Sequence, residues 1–392
     1  MLSAHHPRRA AATAVLAAAA LLLATGCSSD DDGPSGDKSA ESGSADPGAS
    51  PSGDAADAPP EKGAAEVTKT LATGLKSPWG LAPLPDGDLL VSSRDEGTIT
   101  RIDGESGKKT QVGSVPGVAA AGEGGLMGLA LSPTYASDHQ VYAYFTTESD
   151  NRIARMLYDE KKPSGQQLGA PDTVFKDIPK GVIHNGGRIA FGPDKMLYAG
   201  TGETGETDLA QDKKSLGGKI LRLTPDGDPA PGNPFADSPV YSLGHRNVQG
   251  LDWDEDKRLW ASEFGQDTWD ELNEIKAGDN YGWPEAEGKD DSDDAFHAPV
   301  AQWKTSEASP SGVAYAKGSV WMAGLRGERL WRIPVRGVAG EPKTEAFLTE
   351  KYGRLRTVVA AGGDKLWLVT SETDSRGTPG KEDDKILEVR VK

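Results

Sequence analysis

The sequence has few of the residues that commonly crosslink a protein or bind transition metals. Its 392 residues include one cysteine and six histidines. A single cysteine excludes disulfide bonds within the chain, so a large core or a bound metal must hold the fold together. Zinc is disfavoured, because no cluster of histidine and cysteine has the spacing of a zinc site.

Net positive charge and helical patterns are also lacking. The formal net charge is −17, which disfavours a nucleic-acid partner because phosphate binding requires clustered lysine and arginine. No long stretch has the 3.6-residue periodicity of an amphipathic helix. These absences favour a protein of strands and turns with an acidic, solvated surface.

The first 27 residues are predicted to be an export signal and not part of the fold. The pair Arg8-Arg9 precedes an apolar run over residues 10–24, which is too short for a comfortable membrane span. The run ends at Ala24-Thr25-Gly26-Cys27, which resembles a bacterial lipoprotein cleavage site. We expect lipidation at Cys27, and the sequence leaves open whether export uses the general or the twin-arginine route.

Residues 28–65 consist mainly of Ser, Gly, Asp, Pro and Ala. Such a segment cannot bury enough apolar surface to offset the entropy of ordering, so it is predicted to be a disordered tether. We expect the mature protein to be an exported domain, residues 66–392, that a lipid anchors to the outer face of the cell membrane. Nothing in the sequence demands more than a monomer.

A sequence repeat, made of a strand, a Pro/Asp/Gly turn and a second strand, occurs six times in this domain. The first strands contain Leu81, Leu129, Ile189, Leu251, Val313 and Val358. Repeats of this length built only of strands and turns are typical of β-propeller blades.

We therefore predict an all-β fold, a six-bladed β-propeller with four-stranded antiparallel blades. The strand 66–71 precedes the first copy and is expected to join the blade of the C-terminal strand, so that the N- and C-terminal strands close the ring. A β-sandwich is the structural alternative, but it would not explain six equivalent copies.

Four ionisable residues lie shortly before the first strand of four different copies: Glu123, His184, Arg246 and Arg354. In a propeller the loops that enter the innermost strands gather at one end of the channel, so we expect these side chains around one mouth. Arg246 is expected to disfavour a protonated His184 and so leave a neutral base. The alternative is a structural histidine bonded to the backbone of a Gly-Gly turn.

Two further stretches indicate ligands. Residues 262–273 and 280–284 place carboxylates among glycine and asparagine, which supplies the oxygen ligands that calcium prefers; a solvated acidic loop is the alternative. Arg354 and Arg356 alternate along an extended segment and so face one side, where they can bind an anion with more than one carboxylate. Surface ion pairs are the alternative for the arginines.

Taken together, these motifs resemble the quinoprotein soluble aldose (glucose/sorbosone-type) dehydrogenases, six-bladed propellers that use pyrroloquinoline quinone (PQQ) and calcium. The resemblance covers about residues 66–392. It rests on five motifs in the family's order: residues 124–130, 184–188, 244–247, 270–273 with 280–284, and 354–356.

The resemblance implies roles for individual residues. His184 is similar to the general base that takes a proton from the C1 hydroxyl of an aldose as a hydride moves to the quinone. Arg246 and Asn247 match residues that contact the reactive quinone oxygens. Further cofactor contacts are implied at Glu123, Thr204, Arg326, Arg354 and Arg356.

Two calcium sites are also implied. Gly265 and Gln266 match the positions whose backbone carbonyls hold the cofactor-bound calcium. A structural calcium is implied at Asp270, Glu271 and Tyr281.

The chain departs from the glucose enzymes in its expected sugar pocket. Ile183 replaces an aspartate before the base, Glu123 replaces a glutamine, and Gln266 replaces a proline. Loss of the sugar-contacting aspartate favours a looser aldose specificity.

The predicted function is PQQ- and calcium-dependent oxidation of aldoses to lactones, with electrons passing to an unidentified acceptor. Two alternatives remain at this stage: a calcium-dependent propeller hydrolase of the lactonase type, and a non-catalytic propeller that displays a binding surface.

Overall fold

A computed structural model describes residues 59–289 and 295–392 of the chain. All of these residues belong to one compact unit. The predicted signal peptide, Cys27 and the tether up to residue 58 lie outside the described residues.

The strands of the described residues form six four-stranded antiparallel sheets. The chain first contributes a single strand, β1 (Ala65–Ala72). The first blade then comprises β2 (Pro78–Pro83), β3 (Leu89–Ser93), β4 (Thr98–Ile102) and β5 (Lys109–Ser114). The second comprises β6 (Leu126–Leu131), β7 (Gln140–Thr146), β8 (Asn151–Leu157) and β9 (Asp172–Ile178).

The remaining blades repeat this order. The third comprises β10 (Ile189–Phe191), β11 (Leu197–Gly200), β12 (Lys219–Leu223) and β13 (Val240–Leu243). The fourth comprises β14 (Val248–Trp253), β15 (Leu259–Glu263), β16 (Trp269–Ile275) and β17 (Ala301–Lys304). The fifth comprises β18 (Pro310–Ala316), β19 (Ser319–Gly324), β20 (Arg329–Pro334) and β21 (Glu345–Phe347).

The sixth blade closes the ring. It consists of β22 (Leu355–Gly362), β23 (Lys365–Thr370) and β24 (Ile386–Val391), and β1 supplies its outermost strand. β1 runs antiparallel to β24, with Ala65 opposite Val391 and Ala72 opposite Ile386. The predicted six-bladed propeller and its closure by the terminal strands are therefore confirmed.

Helices are short in the described part of the chain. One turn of α-helix, α1, covers Tyr135–Asp138, and a 3₁₀ turn covers Thr207–Ala210. Among the described residues, none of the helices has the length and apolar character needed to cross a membrane.

The hydrophobic core lies between neighbouring blades. Leu90 and Ile99 of the first blade, for example, pack in one buried cluster with Leu126 and Phe145 of the second. These residues come from strands in which alternate side chains face opposite sides of the sheet, so each blade contributes to two such clusters. The repeated packing fixes the angle between blades and hence the positions of the loops at the channel mouth.

The innermost strands approach one another closely because glycine occupies equivalent positions in several of them. A Cβ on Gly80 would lie 2.5 Å from the carbonyl oxygen of Met127, and one on Gly250 would lie 2.4 Å from that of Ser311. In the third blade the equivalent position, directly before Ile189, is Arg188. Its long side chain is buried and donates to the innermost strands of the fourth and sixth blades.

The last residues of the predicted tether make defined contacts. Arg332 donates from Nη2 to the Pro60 carbonyl at 2.7 Å, and the Gly63 amide donates to Glu345 at 2.9 Å. β1 also begins at Ala65, one residue before the predicted domain. Residues 60–63 therefore contact the fifth blade through Arg332, a side chain that the sequence repeat does not single out.

Candidate active site

A cavity of about 690 Å³ lies at the end of the channel where the innermost strands begin. The four residues predicted to share a mouth, Glu123, His184, Arg246 and Arg354, all line it. Each comes from a loop that enters an innermost strand, which confirms the expectation drawn from their spacing. Predicted residues Asn247, Arg326 and Arg356 also line the cavity, whereas Thr204 does not.

Two arginines of the sixth blade form one wall. The Nη2 atoms of Arg354 and Arg356 each lie 3.0 Å from Oδ2 of Asp374. Although burial alone raises the pKa of Asp374, the two guanidiniums hold it well below its usual range. Burial lowers the pKa of Arg356 to about 10, which still leaves it charged at neutral pH. One carboxylate shared by two cations leaves a net positive wall, as an anionic ligand requires.

The floor of the cavity is Trp79, with guanidiniums over its ring. Arg356 lies 5.7 Å and Arg188 lies 4.3 Å from the ring centroid. Arg188 donates to the Gln249 carbonyl at 2.7 Å and to Thr357 Oγ1 at 3.0 Å, so its side chain reaches the fourth and sixth blades. Burial and the neighbouring Arg356 lower the pKa of Arg188 to about 9. The floor is thus rigid, aromatic and cationic.

Arg246 and Arg326 bring further positive charge to the cavity. Arg246 lies 5.4 Å over the ring of Trp283, and its buried Nε has no hydrogen-bond partner. Burial lowers the pKa of Arg246, and nearby carboxylates oppose this shift. Arg326 is exposed, and no ion pair joins it to another described residue. Arg326 and the Nη1 of Arg354 make no hydrogen bond to a described residue, whereas each guanidinium nitrogen of Arg356 makes one.

His184 is held by two glutamates and the backbone. Its Nδ1 lies 2.8 Å from Oε1 of Glu203, whose side chain is 1 % exposed. Its own amide donates to Oε2 of Glu123 at 3.0 Å. His184 has φ +53°, an uncommon backbone conformation outside glycine that both contacts help to maintain. Asn247 supports the next residues, because its Oδ1 accepts from the Gly186 amide at 2.9 Å.

The contact with Glu203 changes the expectation for His184. From the sequence, Arg246 is the group expected to influence His184, whereas the structure places the buried carboxylate of Glu203 within hydrogen-bond distance of Nδ1. A carboxylate there keeps the proton on Nδ1 and leaves Nε2 as the proton acceptor. The histidine is thus oriented as a base by Glu203, and the general-base role itself stays a prediction.

A sequence signal for Glu203 exists. Glutamate lies at or just after the end of the second strand in three blades, at Glu203, Glu263 and Glu372. Glu263 accepts from the Arg246 amide, and Glu372 accepts from the Arg354 amide at 2.6 Å. The recurring position therefore marks residues that brace the cavity loops.

A second histidine–glutamate pair is inaccessible. His245 Nδ1 lies 2.8 Å from Glu263 Oε2, and its Nε2 lies 2.8 Å from Ser242 Oγ. The ring is fully buried and stacks on Tyr281 at 4.7 Å. A serine, histidine and glutamate in this order resemble a hydrolytic triad, but no substrate can reach them, so they act as structural support behind Arg246.

The loop between β15 and β16 contains the predicted cation-binding carbonyls. Phe264 lines the cavity, and its carbonyl lies 3.4 Å from Nη1 of Arg246. Among the described residues, no hydrogen bond is donated to the carbonyls of Gly265 or Gln266. Gly265 and Gln266 follow Phe264 directly but do not themselves line the cavity. Carbonyl oxygens that accept no hydrogen bond are suitable calcium ligands.

The predicted structural calcium ligands are each occupied by hydrogen bonds within the protein. Asp270 accepts the amides of Gly265 and Ser309 at 3.0 and 2.6 Å, and burial raises its pKa to about 6. Burial also raises the pKa of Glu271, which accepts from Gly288 and Asn273. The Tyr281 hydroxyl is occupied by backbone contacts. Within residues 59–289 and 295–392 no three acidic, histidine or cysteine side chains cluster to hold a metal, and the structural calcium at these residues stays a prediction.

The fold and site together define a six-bladed β-propeller with a polycationic cavity beside a histidine–glutamate pair. The sequence profile of the Glucose / Sorbosone dehydrogenase family matches residues 75–378, and the chain belongs to this family.

Individual proteins to which the chain is similar include sugar dehydrogenases. The chain is 75% identical to the PQQ-bound aldose sugar dehydrogenase of Streptomyces coelicolor, with a TM-score of 0.84 over 86% of this chain and 100% of that one. It is 30% identical to quinoprotein glucose dehydrogenase B of Acinetobacter calcoaceticus, over 64% of this chain and 59% of the relative. It is 29% identical to aldose sugar dehydrogenase YliI of Escherichia coli, over 78% and 90%.

Proposed function

We propose that this protein oxidises the C1 hydroxyl of aldoses to lactones with PQQ and calcium as cofactors. The observation that carries the proposal is a single cavity in which a histidine–glutamate pair faces a cluster of arginines. The PQQ-bound Streptomyces coelicolor relative supports the choice of cofactor.

The residues present fit a tricarboxylate quinone. Arg326, Arg354 and Arg356 supply the cations for carboxylates, and Trp79 supplies a flat floor. Arg246 also lines the cavity, so its guanidinium can donate to a polar oxygen of the ligand. A volume of about 690 Å³ is in the range of small-molecule sites. When bound, PQQ supplies the hydride acceptor.

Calcium would be held by the carbonyls of Gly265 and Gln266 and would act as a Lewis acid toward the cofactor. The carboxylates of Glu287 and Asp270 accept the amides of the same loop, so negative charge lies close to these carbonyls. The supporting observation is that neither carbonyl accepts a hydrogen bond from a described residue.

The protein's own contribution to chemistry is proton removal and orientation. Glu203 holds the Nδ1 proton of His184, so Nε2 accepts the proton of the sugar C1 hydroxyl. Arg246, on the same cavity, donates to the developing negative charge in the transition state. Ile183 also lines the cavity beside the base. An apolar side chain there supports a loose preference among aldoses.

The hydrolase alternative needs carboxylates that converge on one channel metal. The cavity is lined instead by five arginines besides Arg246, namely Arg94, Arg326, Arg354, Arg356 and Arg376. This arrangement favours an anionic cofactor over a hydrolytic metal centre.

We further propose that the chain is exported and lipidated at Cys27, which would hold the enzyme at the outer face of the membrane. Metabolic labelling with a radioactive fatty acid, compared between the natural chain and Cys27→Ser, tests this directly. Labelling that persists in Cys27→Ser would contradict the lipid anchor.

The activity is tested by steady-state reduction of a redox dye with a panel of aldoses. We expect saturable rates that require both PQQ and calcium and that disappear in His184→Ala. The His184→Ala protein should still bind PQQ, because the arginine wall is intact. Equal rates with and without PQQ would contradict the proposal.

A further inference from the structure

Glu287 makes an unusual set of contacts beside the cavity. Its Oε1 accepts four successive backbone amides: Gln266 at 2.7 Å, Asp267 at 3.2 Å, and Thr268 and Trp269 at 3.1 Å each. The carboxylate comes from the segment between Trp283 and Lys289, whereas the amides belong to the loop between β15 and β16. A single oxygen therefore fixes the orientation of four consecutive peptide planes.

The planar trans peptide determines where the carbonyls of this loop point. Within one peptide unit, the N–H and the preceding C=O point in opposite directions. Because the amides of Gln266 and Asp267 face Glu287, the carbonyls of Gly265 and Gln266 must face away from it. These are the two carbonyls assigned to calcium under the proposed function.

Asp270 extends the same arrangement by one peptide. The Gly265 amide donates to Asp270 Oδ1 at 3.0 Å, so the Phe264 carbonyl points away from that carboxylate. The Phe264 carbonyl indeed lies 3.4 Å from Nη1 of Arg246, at the cavity. Three consecutive carbonyls are thus turned away from two carboxylates, and the first of them contacts Arg246, which lines the cavity.

Gly265 is also adapted to this contact. A Cβ at this position would lie 2.6 Å from Oε1 of Glu287 and 1.9 Å from the carbonyl oxygen of Trp269. Any larger residue would push Glu287 away from the amides. The loop therefore supplies the amides that donate to Glu287, and Gly265 leaves the space that the Glu287 carboxylate occupies.

We propose that Glu287 is a positioning residue for the cofactor-bound calcium. It does not need to touch the ion, because it orients the carbonyls of Gly265 and Gln266 by binding the amides behind them. This inference rests on the proposed function, since it specifies how the calcium of that site is held. Partners that orient metal ligands typically contribute about 10- to 100-fold to metal affinity.

The test is an absorbance titration of PQQ binding at increasing calcium, without sugar or dye. For Glu287→Ala, we expect the calcium concentration at half-maximal PQQ binding to rise about 10- to 100-fold. Glu287→Gln retains an acceptor oxygen and should show a smaller rise. Glu285→Ala is the matched control, because Glu285 is an exposed glutamate of the same segment.

The outcomes separate this inference from the proposed function. A calcium requirement in Glu287→Ala equal to that of the natural protein, with cooperative thermal unfolding retained, would overturn the positioning role alone. If Glu287→Ala fails to fold, an unchanged calcium requirement in Glu287→Met, which keeps a side chain of similar length without a carboxylate oxygen, would have the same meaning. PQQ binding by the natural protein that is independent of calcium would overturn the calcium assignment before any variant is compared.

Discussion

Replacing Glu203 by glutamine should disable the base without altering the cavity. Glu203 uses one oxygen for His184 Nδ1 and the other for the Gly205 amide. A glutamine cannot satisfy both donors. If its oxygen faces Gly205, its amide group faces Nδ1, and the histidine proton must move to Nε2, where it blocks proton abstraction.

The size of the effect follows from the cost of the other orientation. If the glutamine oxygen faces His184 Nδ1–H, the side-chain amide group opposes the Gly205 N–H, and an unsatisfied buried donor costs about 1–3 kcal/mol. The competent orientation is then disfavoured by about 5- to 150-fold. Loss of the negative charge beside a developing imidazolium adds to this, and the analogous aspartate-to-asparagine change in serine proteases costs about 10⁴-fold. We expect kcat to fall by about 10²- to 10⁴-fold.

The assay is dye reduction at saturating aldose, PQQ and calcium, together with a PQQ absorbance titration. PQQ affinity should stay within about twofold of the natural protein, because Glu203 does not line the cavity. Glu206→Gln, an exposed neighbour, provides the control. A Glu203→Gln enzyme with near-natural kcat would refute the role of Glu203 in setting the histidine proton.

Three other changes test the cavity wall, floor and pocket. Arg188→Met should weaken PQQ binding about tenfold in an absorbance titration, because it removes hydrogen bonds and a cation behind Trp79, and Arg188→Lys should recover part of the loss. Asp374→Asn should lower the free energy of unfolding at pH 7 by about 3–5 kcal/mol. The pKa of Asp374 is depressed in the folded state, so its contribution is present above the usual aspartate range and is lost in strong acid; urea unfolding should therefore show a smaller deficit near pH 3. Ile183→Asp should raise kcat/KM for glucose several-fold relative to other aldoses, measured across the sugar panel.

Much of the fold follows from the sequence because each blade repeats the same local pattern. Each of the six repeats, from the one at Leu81 to the one at Val358, combines an apolar strand with a Pro/Asp/Gly turn. Such local signals do not depend on distant contacts. Closure was predictable because a strand remained unpaired at each end of the repeat. The shared mouth of His184 and Arg246 followed from their equivalent offsets alone.

The partners of the site residues were not predictable in the same way. Glu203 reaches His184 from a neighbouring strand end, and Asp374 comes from the loop after β23, 280 residues from Arg94, whose guanidinium contacts its carbonyl. Such contacts depend on register and on the angle between blades. Burial and neighbouring charge then set the protonation of these groups, and neither is visible in a one-dimensional pattern.

The most direct test of the account is equilibrium binding of PQQ to the purified protein in the presence of calcium, followed by absorbance. The polycationic cavity predicts saturable one-to-one binding at micromolar or lower concentration, weakened at least tenfold by Arg356→Leu and by raised salt. No binding at micromolar PQQ, or binding unaffected by Arg356→Leu, would contradict the assignment of this cavity as the cofactor site.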